Sequence, residues 1–204
     1  MTEHRKEELR EALLEATIYV IANDGLDKAT TKALATRAQV NEGYIYRVFD
    51  GKDDLLSKTF DLLDGQMINF LHGAMTIMRD ESLDMETRCY HIFSQVWRFF
   101  LTGQDKCLCY IRYYYSPYFT KYSSKQHKKA FEPVTERFGR VFKQGTDVWH
   151  MLVYVLDIIF SSVVRVFRGD LPNTQETEKN VFDLLYHSIQ PYLSWERISK
   201  KEKL

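Results

Sequence analysis

The residues best suited to chemistry in this chain do not assemble into a catalytic pattern. Cys107-Leu108-Cys109 is the obvious metal or redox candidate, yet no second cysteine pair follows at zinc-site spacing and the six histidines do not cluster with it. Neighbouring side chains on a helix also point apart, so the reading is of structural cysteines and no metal. No glycine-rich phosphate loop and no nucleophile elbow is present, so neither an enzyme nor a bound cofactor is expected. What remains is a short run of donors suited to DNA. Lys32 and Lys52 are ammonium groups, and Thr31 and Tyr46 are hydroxyls, which suit phosphate oxygens; Tyr44 and Arg47 suit base edges, with Arg47 a donor to guanine.

Donors of this kind need rigid positioning, and the surrounding sequence supplies it. Leu9, Leu13, Ala16 and Val20 recur at helical steps from Glu3 to Asn23, and Gly25 is placed to end that helix. Thr30 or Thr31 caps a second, short helix reaching Ala38, and Asn41 caps a third reaching Phe49. Small Ala35 allows close approach of the two, while Leu34, Val40 and Ile45 seal them into a helix-turn-helix. Asp50-Gly51 breaks the chain. Lys52 then opens a fourth helix, predicted to run to about His72, with Asp53 and Asp54 against the positive end of its dipole.

Further helices are predicted over 85–101, 104–115, 124–144, 147–168 and 174–193, with breaks at Pro117, Gly145, Gly169 to Pro172 and Pro191. The fold class is therefore all-α. The domain division expected is a helix-turn-helix DNA-binding domain over residues 1–51 and a helical sensor and dimerisation domain over 52–204, linked by the helix that opens at Lys52. Trp149 to Phe167 is the most apolar stretch, but Asp157 and Arg165 would be costly in hydrocarbon, so it reads as a buried helix and not a membrane span. A charged start without an apolar signal core, and three cysteines, predict a cytoplasmic protein.

The first 58 residues resemble the TetR family of bacterial transcription regulators. The resemblance rests on an ordered set: an amphipathic first helix, a glycine near its end, Thr30-Thr31, the Leu34-Ala35 pair, the Gly43-Tyr44-Ile45-Tyr46-Arg47-Val48-Phe49 segment, and Lys52 opening the next helix. It implies that Thr31, Lys32, Asn41, Glu42, Gly43, Tyr44, Tyr46, Arg47 and Lys52 face double-stranded DNA. It further implies a homodimer on a palindromic operator, formed through the last two long helices, and release by a small-molecule effector. Two positions depart from the family's habit. Gln39 stands where glycine is usual in the turn, and a positive φ there would cost about 1 kcal/mol. Glu42 puts a negative charge near phosphate unless it accepts from a cytosine amino group.

Charge is consistent with a local rather than global attraction to DNA. The chain has 28 Lys and Arg against 28 Asp and Glu, and residues 1–58 hold nine against eleven. Between Thr30 and Phe49 the balance turns positive, three against one. Few phosphate contacts per copy make a second copy mechanistically necessary. Val181, Leu184, Leu185, Ser188 and Tyr192 share one face of the final long helix and suit a partner's helix.

The sensor reading leaves alternatives open. Trp97, Phe100, Tyr110, Tyr114 and Tyr118 belong to an aromatic run that either walls an effector pocket or is simply core. Asp157 lies on a polar stripe with His150, Tyr154, Ser161, Arg165 and Arg168, which faces solvent, a cavity or a partner subunit. The expected function is a repressor released by an apolar or amphiphilic molecule. The alternative is a DNA-binding structural or cell-division protein of the same fold that responds to no ligand, and a sealed core would favour it.

Overall fold

The structure, a computed structural model, describes residues 2–194. Among these residues the architecture is all-helical, in the order α1 (Glu3–Asp24), α2 (Thr31–Arg37), α3 (Ile45–Val48), α4 (Lys52–Ala74), α5 (Met85–Thr102), α6 (Gln104–Tyr114), α7 (Ser124–Phe138), α8 (Val148–Phe167) and α9 (Gln175–Ile189). Two compact units are formed. Among the described residues one contains 2–67 together with Gly103–Lys129; the other contains Ile68–Thr102 and 130–194.

In the first unit, α1 begins at a Thr2 cap and ends where Gly25 takes φ 99° and donates to the Val20 carbonyl. The sequence predicts one buried face, and the structure buries more. Leu14, Thr17, Ile18 and Ile21 are inside as well as Leu13, Ala16 and Val20, because α6 packs along α1 in addition to α2 and α3. Arg112 of α6 donates to the Ile21 carbonyl at 2.6 Å. On α4, Asp64 is buried and accepts from Tyr110 Oη at 3.0 Å, with His127 Nδ1 at 2.9 Å from the same oxygen. Phe60 stacks on Tyr110 and Tyr113, both at 4.9 Å between centroids, and thereby covers this polar cluster with apolar rings.

The second unit is built around α5, α8 and α9. Phe93 stacks on Trp97, Phe100 meets Phe160 edge to face, and Phe182 of α9 stacks on Tyr186. Helix α7 stops at Phe138 instead of reaching residue 144, because the following backbone finds other partners. Lys143 N donates to the Tyr192 carbonyl and Ser194 N to the Val141 carbonyl, around a bridge between Phe142 and Leu193. At the other end of the chain's helical run, α9 gives way at Ile189 to a 3-10 turn that accommodates Pro191.

Helix α8 is a buried helix on one side only. Leu152, Ile159, Phe160 and Val163 are inside, while Tyr154 is 42% exposed and Arg165 and Arg168 face outward. It is long and apolar enough to cross a membrane by length and composition, as core helices of water-soluble proteins also are.

Candidate DNA interface and effector cavity

The helix-turn-helix closes on Leu34, Ala35 and Ile45, which are almost completely buried, and on Phe49. Thr30 caps α2 by accepting from Ala33 N at 3.2 Å. At its other end α2 terminates in a two-bond turn: Gln39 N donates to the Thr36 carbonyl and Val40 N to the Ala35 carbonyl. That pairing is a Schellman motif and requires the first residue past the helix cap to be left-handed. Gln39 is that residue, at φ 58°, the one non-glycine with positive φ among the described residues. The strain anticipated from its side chain is therefore present.

The recognition segment differs from the expected single helix. Glu42–Tyr44 forms a 3-10 turn and only Ile45–Val48 is α-helical, while Asn41 is extended and makes no side-chain cap. Four residues cannot hold a helix by propagation, so packing of Ile45 and Phe49 sets its position. Glu42, exposed, accepts from Thr31 Oγ1 at 2.8 Å, which fixes the acid at the start of α2 and joins the first turns of both helices. Lys32, Asn41, Gly43, Tyr46 and Arg47 are exposed, Tyr46 by 64%, and Tyr44 is half-buried. Arg47 lies 4.9 Å from the Tyr44 ring centroid, so the two residues suited to base edges form one stacked pair. Arg37 instead lies 3.6 Å over the Tyr19 ring, an α1 contact. Lys52, half-buried, donates to Tyr118 Oη at 3.1 Å.

The aromatic run is divided between the units. Tyr110, Tyr114 and Tyr118 lie in the first, engaged with Asp64, Phe119 and Lys52 respectively, whereas Trp97 and Phe100 are buried in the second. Asp157 is half-buried on α8. The second unit holds a cavity of about 90 Å³ walled by other side chains, including Leu71, Ile92, Val96, Ile159, Leu185 and Tyr186. Room of that size would take several waters, but the walls are almost wholly apolar. Tyr186 Oη is buried and has no hydrogen-bond partner among the described residues. Burial pushes the Tyr186 phenol up to about 12, so it stays a neutral donor. The helical spacing of Ile92, Phe93 and Val96 marked them for burial, but nothing in one sequence separates a core wall from a cavity wall.

Cys89, in that wall, and Cys107 and Cys109 in the first unit are free thiols, each pushed up to about 12 by burial. Among the described residues no group of three His, Cys, Asp or Glu could hold a metal ion.

A sealed helix-turn-helix with an exposed polar recognition segment, carried on further helices, defines the class of helix-turn-helix proteins. Residues 13–59 match the model of bacterial regulatory proteins of the tetR family. An HTH-type transcriptional repressor of Mycobacterium tuberculosis is 31% identical over 68 residues, which is 33% of this chain and 36% of that protein, so the match spans about a third of the relative's length. The fold is shared with a TetR family transcription regulator from Marinobacter aquaeolei (TM-score 0.75, 16% identity, 92% of this chain and 98% of that one). It is also shared with the regulator FadR of Bacillus subtilis, solved with stearoyl-CoA (TM-score 0.63, 18% identity, 86% and 96%). The head over residues 13–59 is thus similar to that of the tetR family of bacterial regulatory proteins, and the fold is one that TetR family regulators share.

Proposed function

We propose that this protein is a cytoplasmic, non-enzymatic transcriptional repressor that binds a palindromic operator as a homodimer and is released by an apolar or amphiphilic small molecule. The observation that carries the ligand half is the apolar cavity, lined in part by Tyr186, whose buried hydroxyl has no partner among the described residues. An empty cavity of about 90 Å³ costs on the order of 2 kcal/mol. An apolar body with one oxygen acceptor would recover that cost and satisfy the phenol. Occupation of such a cavity by an acyl chain is in keeping with the stearoyl-CoA of the Bacillus subtilis regulator. Of the residues expected at the effector site, Trp97, Phe100 and Asp157 belong to the same unit as the cavity without lining it, and Tyr110, Tyr114 and Tyr118 belong to the other unit.

For the DNA half, Arg47 and Tyr44 read bases, and Thr31, Lys32, Tyr46 and Lys52 hold phosphates, with Asn41, Glu42 and Gly43 at the groove. The division into a reading head over 1–51 and a sensor from 52 onward describes these roles. The dimer face is formed by α8 and α9: Leu184 is 78% exposed, and Tyr192 and Tyr154 are also uncovered. Helix α4 carries Lys52 at one end and the cavity residue Leu71 near the other, which makes it the lever between ligand and DNA. Full release requires about 5.5 kcal/mol of differential ligand affinity for the non-binding state.

Selection of duplexes from a random library by the full chain, followed by titration with medium- and long-chain fatty acids, tests the proposal. A selected palindrome whose affinity falls as fatty acid saturates the protein is expected. Arg47→Ala should relax preference at one base pair by about 1–3 kcal/mol, whereas Lys52→Ala should weaken all duplexes alike. Failure to enrich any duplex refutes the DNA half; unchanged operator affinity with the cavity filled refutes the lever.

A further inference from the structure

The DNA-facing end of α4 is tied to a second basic element. Besides the Lys52 bond to Tyr118, Tyr122 Oη donates to Asp53 Oδ2 at 2.6 Å, and Lys121 lies 4.6 Å from the Tyr122 ring centroid. These contacts hold the π-helical turn Phe119–Ser123 against the first turn of α4, within one compact unit that includes the reading head. From this turn Lys121, Lys125, Lys128 and Lys129 are all exposed. On α7, Lys125, Lys128 and Lys129 fall at helical spacing within one arc of about 100°, and Lys121 precedes them in the π-helical turn.

The charge of this region is unlike the rest of the chain. Between Asp105 and Glu132 there are six Lys and Arg and no Asp or Glu, in a protein of zero formal charge. Of the acids on α4, Asp53 is engaged by Tyr122, Asp54 by the Asp50 backbone N–H, Asp61 by Lys58 and Asp64 by Tyr110 and His127, while Glu132 follows the ridge on α7. Residues 1–58, by contrast, carry more acids than bases. The reading head alone therefore offers few of the phosphate contacts that dominate DNA affinity.

We infer that the Lys121–Lys129 ridge is a second phosphate-binding surface, gripping the backbone of duplex DNA that flanks the base pairs read from the helix-turn-helix. The inference rests on the DNA-binding reading above. Continuity with Lys52 and complementarity to a polyanion select DNA as the occupant over an anionic membrane.

The test compares the wild-type full chain with Lys121→Gln/Lys125→Gln/Lys128→Gln/Lys129→Gln on two probes: a long duplex with random flanks around the selected sequence, and the same sequence trimmed to its protected core. On the long duplex the slope of log affinity against log salt should become shallower by about 0.9 for each phosphate no longer neutralised by a lysine, with binding several-fold weaker. On the trimmed duplex the two proteins should be equal. A second variant, Lys125→Gln/Lys129→Gln, leaves Lys121 beside Tyr122 and should show about half the change, which separates weaker phosphate binding from a disturbed fold. An unchanged slope on the long duplex, or equal weakening on both probes, overturns the inference. So does loss of binding to phosphatidylglycerol vesicles with an unchanged duplex slope. If the wild type itself enriches no duplex, the DNA reading fails and the inference with it; if only the variant comparison fails, the DNA reading stands.

Discussion

Replacing Gln39 with glycine should stabilise the protein. Gln39 holds φ 58° because the Thr36 and Ala35 carbonyls each take a bond from the turn that ends α2. An L side chain pays about 1–2 kcal/mol for that conformation. Glycine removes the cost but loses about 0.5–1 kcal/mol of its own through a freer unfolded chain. Gln39 is exposed, so no buried packing is forfeited. The net expectation is about 0.5–1 kcal/mol of added stability, or about 1–4 °C in Tm for a chain of this size. Gln39→Ala keeps the Cβ and its clash, and should leave stability nearly unchanged. Thermal and urea unfolding of the three proteins at one protomer concentration measures this, since any self-association makes Tm concentration-dependent. Equal stabilisation by alanine and glycine, or none by glycine, would refute the attribution of strain to this φ.

Three other outcomes are expected. Leu184→Glu should convert a dimer to monomer in sedimentation at equal concentration without lowering helicity, since Leu184 is 78% exposed in the single chain; an unchanged mass would remove α9 from the interface. Asp64→Ala, which removes the buried acceptor of Tyr110 and His127, should cost about 2–4 kcal/mol in denaturant unfolding, with Asp64→Asn costing less. Because burial pushes the Cys107 and Cys109 thiols up to about 12, both should react with a disulfide reagent at neutral pH only at the rate of unfolding, and rapidly in guanidinium; fast reaction of either in native buffer contradicts this.

The helix-turn-helix was legible because its signals are local. Thr30 as a cap, Gly25 as a stop and the Leu34, Ala35 and Ile45 seal each depend on neighbours within a turn or two, and even the strain at Gln39 could be read from one residue type in a known turn. The 3-10 start of the recognition segment was not legible, since Asn41 looks like a cap whether or not its side chain makes the bond. The Asp64, Tyr110 and His127 cluster joins positions 46 and 63 residues apart, and no periodicity encodes such a meeting. The aromatic run was conspicuous by composition, but composition does not say which ring belongs to which packing unit. Residues that wall the cavity carry the same pattern as residues that fill a core.

The bond from Arg112 to the Ile21 carbonyl, and the packing of α6 along α1, bear on how such a protein can be recombined. A chimaera made by one crossover after Gly51 would graft a first helix whose Leu14, Ile18 and Ile21 side no longer has its native cover. The transferable cassette is discontinuous, residues 2–67 together with 103–129, so an engineer exchanging DNA specificity must carry α6 along or redesign the surface it covers. Substitutions on α1 and α6 are thereby bound to one another, and changes in a helix remote in sequence from the recognition segment are felt by the scaffold that aims it.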